Sequence, residues 1–264
     1  MCEPRSPRAT ADWPNHGTEI DRARRDDALG ALIPCEEQRA FASLEYSDPG
    51  SILRFDPGAV PGEPLPFLGV RLRVDHPPVN GGVRSEVALE YPFREGDTVR
   101  YRWDVLVPST FVNDHPRNLR NTIAQWHDQP DEARGECWRT KPRLGSPLSL
   151  RLASRDGRAL QMSLHARDTR TRASGRFEIA TIPYDRWVSI DVRITWSQDT
   201  DRGAVTVALD GAGDPDPVVA FRGFTMNNRL PHYLKVGLYR NEAIRADNRL
   251  YLRQLRCETL ARGG

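Results

Sequence analysis

Apolar and polar residues trade places one by one along this chain, in short runs that proline or glycine repeatedly closes. Val99, Tyr101, Trp103, Val105 and Val107 are interleaved with Thr98, Arg100, Arg102, Asp104 and Leu106, and Pro108 ends the run. Val188, Ile190, Val192, Ile194 and Trp196 make one face of a second run, with Val205, Val207 and Leu209 as its partner before Asp210-Gly211. Leu148, Leu150 and Leu152 lead through the turn-forming pair Asp156-Gly157 to Leu160, Met162 and Leu164, a hairpin pattern. Successive side chains leave a strand on opposite sides, so period-two alternation marks half-buried strands. Roughly a dozen such segments at short spacing, with no long helical one, predict an all-β fold: a two-sheet antiparallel β-sandwich of jelly-roll type.

At 264 residues and 38% apolar content the chain can bury a substantial core. A single domain is expected over residues 36–264. Residues 1–35 read as a poorly ordered or loosely attached arm, with at most a short helix near Ala23 to Leu32. Met1 to Asp27 lacks the apolar stretch of a signal peptide, and no run of 18 apolar residues spans a membrane. A net charge of +2 with 28% charged residues argues against a nucleic-acid binder, whose domain would be strongly basic. Cys2, Cys35, Cys137 and Cys257 lack zinc-site spacing. Cys35 and Cys257 lie near the two ends of the folded part, either as a disulfide or as two buried thiols. The irregular stretch from Asp128 to Pro147 is long enough to be a flap over a groove.

Three short stretches carry an unusual polar face. In Tyr233-Leu234-Lys235-Val236-Gly237-Leu238-Tyr239-Arg240, Leu234, Val236 and Leu238 share the apolar side. Tyr233, Lys235, Gly237 and Tyr239 share the other, where the glycine leaves room for a close approach. Lys235 is one of only two lysines, with Lys141, against 36 arginines, so a compact ammonium is distinctive here. Val83 to Val87 offers Arg84 and Glu86, and Ile123 to His127 offers Gln125 and His127. Lying in one sheet with faces aligned, the three would floor a polar groove. Arg100 and Arg102 share a face that would extend the cationic floor, unless they are plain surface charges. His76, His115, His165 and His232 read as surface or satisfied core residues, with His115 in a loop near the Gln125 strand.

In this order, Arg84-Ser85-Glu86, Gln125-Trp126-His127 and Tyr233 to Arg240 resemble the signature strands of jelly-roll polysaccharide lyases. The likeness is to the glucuronan lyase and heparin lyase I group, more distantly to alginate lyases, over about residues 40–258. The resemblance implies a concanavalin-like sandwich whose concave substrate groove binds a glucuronan-like or glycosaminoglycan-like acidic polysaccharide and cleaves it by β-elimination, leaving an unsaturated uronate end. It implies no cofactor for catalysis, although Asp199-Thr200-Asp201-Arg202-Gly203 would be a place for structural calcium if it is not a polar hairpin turn. It also implies an extracellular or periplasmic location, and a monomer is expected.

Elimination requires the uronate carboxylate to be neutralised or hydrogen-bonded before C5 gives up its proton. Gln125, Arg84 and His127 are the expected donors. By the resemblance, His127 and Tyr239 share the acid and base roles: Tyr239 protonates the leaving oxygen and is a candidate base, and His127 is base or partner. A phenol with an ordinary pKa of about 10 needs nearby cations to act as a base, and Lys235, Arg84 and Arg240 are the nearest, although a regular strand turns Arg240 to the opposite face. Glu86 is expected to orient Arg84 or Lys235, and Tyr233 either stacks on a sugar or packs. The alternative is a non-catalytic carbohydrate-binding jelly roll for acidic glycans. A glycoside hydrolase is disfavoured, since Glu86 is the only acid on the three faces and hydrolysis normally takes two carboxylates.

Overall fold

The alternating runs become strands in a computed structural model that describes residues 18–19, 25–112, 121–142, 144–154, 160–168, 170–209 and 219–263. Among these residues the order is β1 (Thr18–Glu19), α1 (Arg25–Leu32), α2 (Glu36–Arg39), β2 (Ala42–Tyr46), β3 (Ile52–Phe55), β4 (Phe67–Leu72), β5 (Val83–Leu89) and β6 (Thr98–Leu106). There follow β7 (Asn121–His127), β8 (Leu148–Ser154), β9 (Leu160–Arg167), β10 (Ser174–Ile182), β11 (Trp187–Thr195), β12 (Ala204–Leu209), β13 (Val219–Arg222), β14 (Tyr233–Arg240) and β15 (Asn248–Ala261). They pair into an eight-stranded sheet, β1-β3-β4-β15-β6-β11-β12-β13, and a seven-stranded sheet, β10-β9-β8-β7-β14-β5-β2. Every pairing is antiparallel. The two-sheet sandwich expected from the alternation is the observed fold.

The inner faces supply the core. Val99, Tyr101, Trp103 and Val105 of β6 meet Trp126 of β7 and Leu234, Val236 and Leu238 of β14 in one buried cluster. Tyr101 packs edge-on against Trp126 at 5.5 Å between ring centroids, tying one sheet to the other with a contact that aromatic quadrupoles favour. A smaller cluster of Phe55, Phe67, Leu106 and Tyr251 lies apart from this core.

Several expectations are corrected. The arm expected through residue 35 does not hold for α1, whose Ala28, Leu29 and Leu32 join the main core, packed against β15, β4 and β3. Residues 1–17 and 20–24, His115, and the turns Asp156-Gly157 and Asp210-Gly211 lie outside the described residues. Strands β10 and β13 were not expected; they edge their sheets, and few of their residues are buried, so their alternation is weak. Cys35 and Cys257 are both free thiols, not a disulfide. Asp199–Gly203 forms a polar turn: Asp199 accepts from the Asp201 and Gly203 amides, and the Arg202 guanidinium sits beside its carboxylate. No helix among the described residues is long and apolar enough to cross a membrane.

Candidate active site

The motif strands are neighbours in the order β7-β14-β5. Register sets Tyr233 opposite His127, Lys235 opposite Gln125, Gly237 opposite Glu86 and Tyr239 opposite Arg84. The pairing shifts near Thr122: Ile123 and Ala124 both join the core, so Thr122 and Gln125, three positions apart, both line the groove. That break in alternation is absent from the sequence pattern. Gly237 has φ +143, and a Cβ there would fall 2.2 Å from the Ser85 carbonyl oxygen. What approaches the glycine closely is therefore the backbone of β5, not a ligand.

The polar side chains form a connected chain. Gln125 Nε2 donates to Glu86 Oε1 at 2.6 Å, reaching across β14. His127 Nε2 lies 3.1 Å from Gln125 Oε1; with the amide nitrogen committed to Glu86, that oxygen is an acceptor, so the imidazole carries its proton on Nε2 and its lone pair on Nδ1. Arg84 Nη1 donates to Glu86 Oε2 at 3.5 Å and to Glu45 Oε2 at 3.2 Å. Its Nε and Nη2 hold the Val79 and Asn80 carbonyls, and its guanidinium lies 4.8 Å from the Tyr239 ring centroid. The Tyr239 hydroxyl donates to the Gly81 carbonyl, and a side chain at Gly82 would strike the Tyr239 ring. Lys235 Nζ donates to Glu45 Oε2 at 2.6 Å and sits 5.2 Å from the Tyr233 ring centroid.

Burial sets the protonation of this chain. It pushes the Glu86 carboxyl up to about 7, against the opposing pull of Lys235, Arg84 and Gln125. Burial, then the Lys235 ammonium, pushes the His127 imidazole down to about 3, so it is neutral near pH 7. Burial also raises the Tyr233 phenol.

Arg84, Gln125, His127, Lys235, Tyr233 and Tyr239 all line one groove of roughly 1410 Å³, larger than the roughly 300–1,000 Å³ of small-molecule pockets. Glu86 is only 1% exposed and contacts Gln125 and Arg84. Arg100 and Arg102 are elsewhere: β6 belongs to the other sheet, and both guanidinium groups face Asp191. Arg240 points to the core side as expected, giving Nη2 to the Arg73 carbonyl. His232 is a satisfied core residue, accepting from the Asn227 amide and held by the Leu230 carbonyl. His76 is buried away from the groove, whereas His165 lines it.

Among the groove residues that sequence reasoning missed are Glu45, Trp138 and Lys141. Glu45 comes from β2, an edge strand without clear alternation. Trp138 and Lys141 come from the irregular 128–147 stretch, where no periodicity signals them. Trp138 is 65% exposed, edge-on to Tyr233. The stretch is tied down by Lys141 to Asp128, Arg229 to Asp131 and Asn227 to the Gly145 carbonyl. Among the described residues no cluster of three His, Cys, Asp or Glu stands ready for a metal ion.

Three solved structures of similar shape share 10–12% identity with the chain, which shows fold alone. Polysaccharide lyase family 18 aly-SJ02 superposes with TM-score 0.51 at 12% identity, covering 86% of this chain and 98% of that one. Family 7 alginate lyase A1-II', held with a substrate, gives 0.53 at 10% identity, covering 73% and 78%. The catalytic domain of a glycoside hydrolase family 131 protein from Coprinopsis cinerea gives 0.50 at 12% identity, covering 82% of each chain, so the fold by itself does not select the reaction. No curated protein matches the chain. The sequence model for Polysaccharide lyase, however, matches residues 42–256, most of the chain, and this protein belongs to that family.

Proposed function

We propose that this polysaccharide lyase cleaves a uronate-containing polymer, glucuronan-like or glycosaminoglycan-like, by β-elimination. The observation that carries the reading is the connected chain His127–Gln125–Glu86–Arg84–Tyr239, with Lys235 beside it, along the floor of an oligosaccharide-sized groove. The carboxylate of the sugar to be cleaved sits among Lys235, Gln125 and His127, where buried dipoles and cations stabilise the negative charge that grows on the enolate. His127, being neutral, holds no second proton to donate, so the acid role falls to the Tyr239 hydroxyl. His127 Nδ1 takes the C5 proton, the C5–H electrons form the C4–C5 double bond, the C4–O4 bond breaks, and Tyr239 protonates O4. The arriving carboxylate offsets the Lys235 field and so raises the basicity of His127.

A hydrolase reading is poorly supported by the carboxylates beside the motif residues, since buried Glu86 does not itself line the groove. Glu45 and Glu86 share the same Arg84 nitrogen instead of flanking a bond from opposite sides. The exposed face of Trp138 offers a stacking surface for a sugar ring. A polymeric acidic substrate implies work outside the cytoplasm, extracellular or periplasmic, by a monomer acting as one domain that takes in α1 as well as residues 36–264. The test is digestion of a panel of glucuronan, glycosaminoglycans and alginate, followed by ultraviolet absorbance for new unsaturated ends. Saturated reducing ends, or binding without cleavage across the panel, would overturn elimination on uronates.

A further inference from the structure

Glu45 occupies the position that an incoming uronate would need. It stands on the edge strand β2, and its Oε2 contacts both Lys235 Nζ and Arg84 Nη1. The Glu45 side chain is 28% exposed, while Lys235 is 5% and Arg84 7% exposed, so the carboxylate forms the outer cover of both cations. Glu86 cannot take its place, because one oxygen is committed to Gln125 and the other already faces Arg84. Glu45 is also paired in register with Glu86, and like charges directly opposite each other are unfavourable unless cations bridge them, as Arg84 does.

We infer that Glu45 is an internal stand-in for the substrate carboxylate, holding Lys235 and Arg84 until a ligand that brings its own anion displaces it. The inference rests on the uronate reading of the groove. Displacement by a carboxylate exchanges one anion for another at two buried cations. A neutral or esterified sugar in the place of Glu45 would leave Lys235 without that carboxylate and Arg84 with Glu86 alone, which is costly at low exposure. The two cations therefore act as a charge filter, and holding Glu45 on them lowers the apparent affinity, since only the fraction of enzyme with Glu45 turned aside is ready to bind. Glu45 is a positioning residue, and no bond to it is made or broken.

The test compares wild type with Glu45→Gln on a uronate polymer that wild type cleaves and on its methyl ester. Removing the competing charge is expected to lower KM for the free acid roughly three- to tenfold, with a smaller change in kcat and little change for the ester, which brings no anion to compete with Glu45, so that the preference for acid over ester widens. Glu45→Asp, which keeps the charge, is expected to keep most of the wild-type preference, and thermal melting checks that both variants fold. A KM that rises or stays level in Glu45→Gln, with wild type active, overturns the stand-in and leaves the lyase reading intact. Wild type that neither binds nor cleaves any uronate polymer overturns both.

Discussion

Strands β5 and β6 each project charged residues from alternate positions, Arg84 and Glu86 on one, Arg100 and Arg102 on the other, and they do different work. On β6 the neighbours answer the arginines with acids: Arg100 Nε donates to Asp191 at 2.8 Å, Glu258 stands on its other side, and Arg102 is 39% exposed. The Arg100–Asp191 pair is largely covered, at 13% and 6% exposed, so these charges answer one another, whereas water screens Arg102, which contributes little singly. On β5 the charges are buried and the neighbours are Lys235, Tyr239 and the Gln125 amide, so each proton and each donor has a fixed address. The lesson is that a charged strand face acquires chemical meaning from what the adjacent strands place beside it.

The comparison breaks most easily at Tyr239 and His127. Tyr239→Phe and His127→Ala are each expected to cut kcat by about 100-fold or more with an unchanged melting temperature, whereas a variant that keeps near-wild-type product absorbance would remove that residue from the reaction. Next in size is Gly237→Ala, which forces a Cβ against the Ser85 carbonyl at a positive φ. It is expected to cost on the order of 3 kcal/mol in urea unfolding, and Gly58→Ala, with open space around its Cβ, only about 1 kcal/mol. Equal losses would mean that β14 and β5 can part cheaply.

Proton linkage gives a third test. The Glu86 carboxyl is raised from 4.5 to about 7, so the folded state holds this proton more tightly than the unfolded chain. Its contribution to stability is complete below about pH 4.5 and is lost as pH rises through 7. His127, lowered from 6.5 to about 3, works in the opposite sense: its contribution is complete above 6.5 and is lost as pH falls toward 3. The stability advantage of wild type over Glu86→Gln should therefore shrink between pH 5 and 7, by no more than about 1.4 kcal/mol per pH unit. A flat difference across denaturation curves in that range would show Glu86 to be ionised throughout. The smallest effect belongs to β6: Arg102→Ala is expected to move stability by less than about 1 kcal/mol and kcat/KM by less than about twofold, and a larger loss of activity would return that arginine to the substrate's side.

Much of this was legible in the residues because burial on one side writes a period of two. The faces of β5, β7 and β14 could be read directly, and so could the core side of Arg240. Arg100 and Arg102 were misplaced for a physical reason: both sheets of a sandwich bury one face and expose the other, so alternation on β6 looks the same whichever sheet holds it. Glu45 and Trp138 were invisible because an edge strand and an irregular connection carry no period. The role of Gly237 was inverted, since sequence shows that a side chain is missing but not what fills the space.

One feature of the outer sheet bears on how such a chain is made. β15 lies between β4 and β6 and is hydrogen-bonded to both, though it follows every other strand in the chain. During synthesis on the ribosome, the facing edges of β4 and β6 therefore stay unmated until residues 248–261 emerge. Such late, long-range closure slows folding and exposes sticky edges meanwhile, so the nascent chain is most in need of chaperone protection in the interval before its final strand arrives.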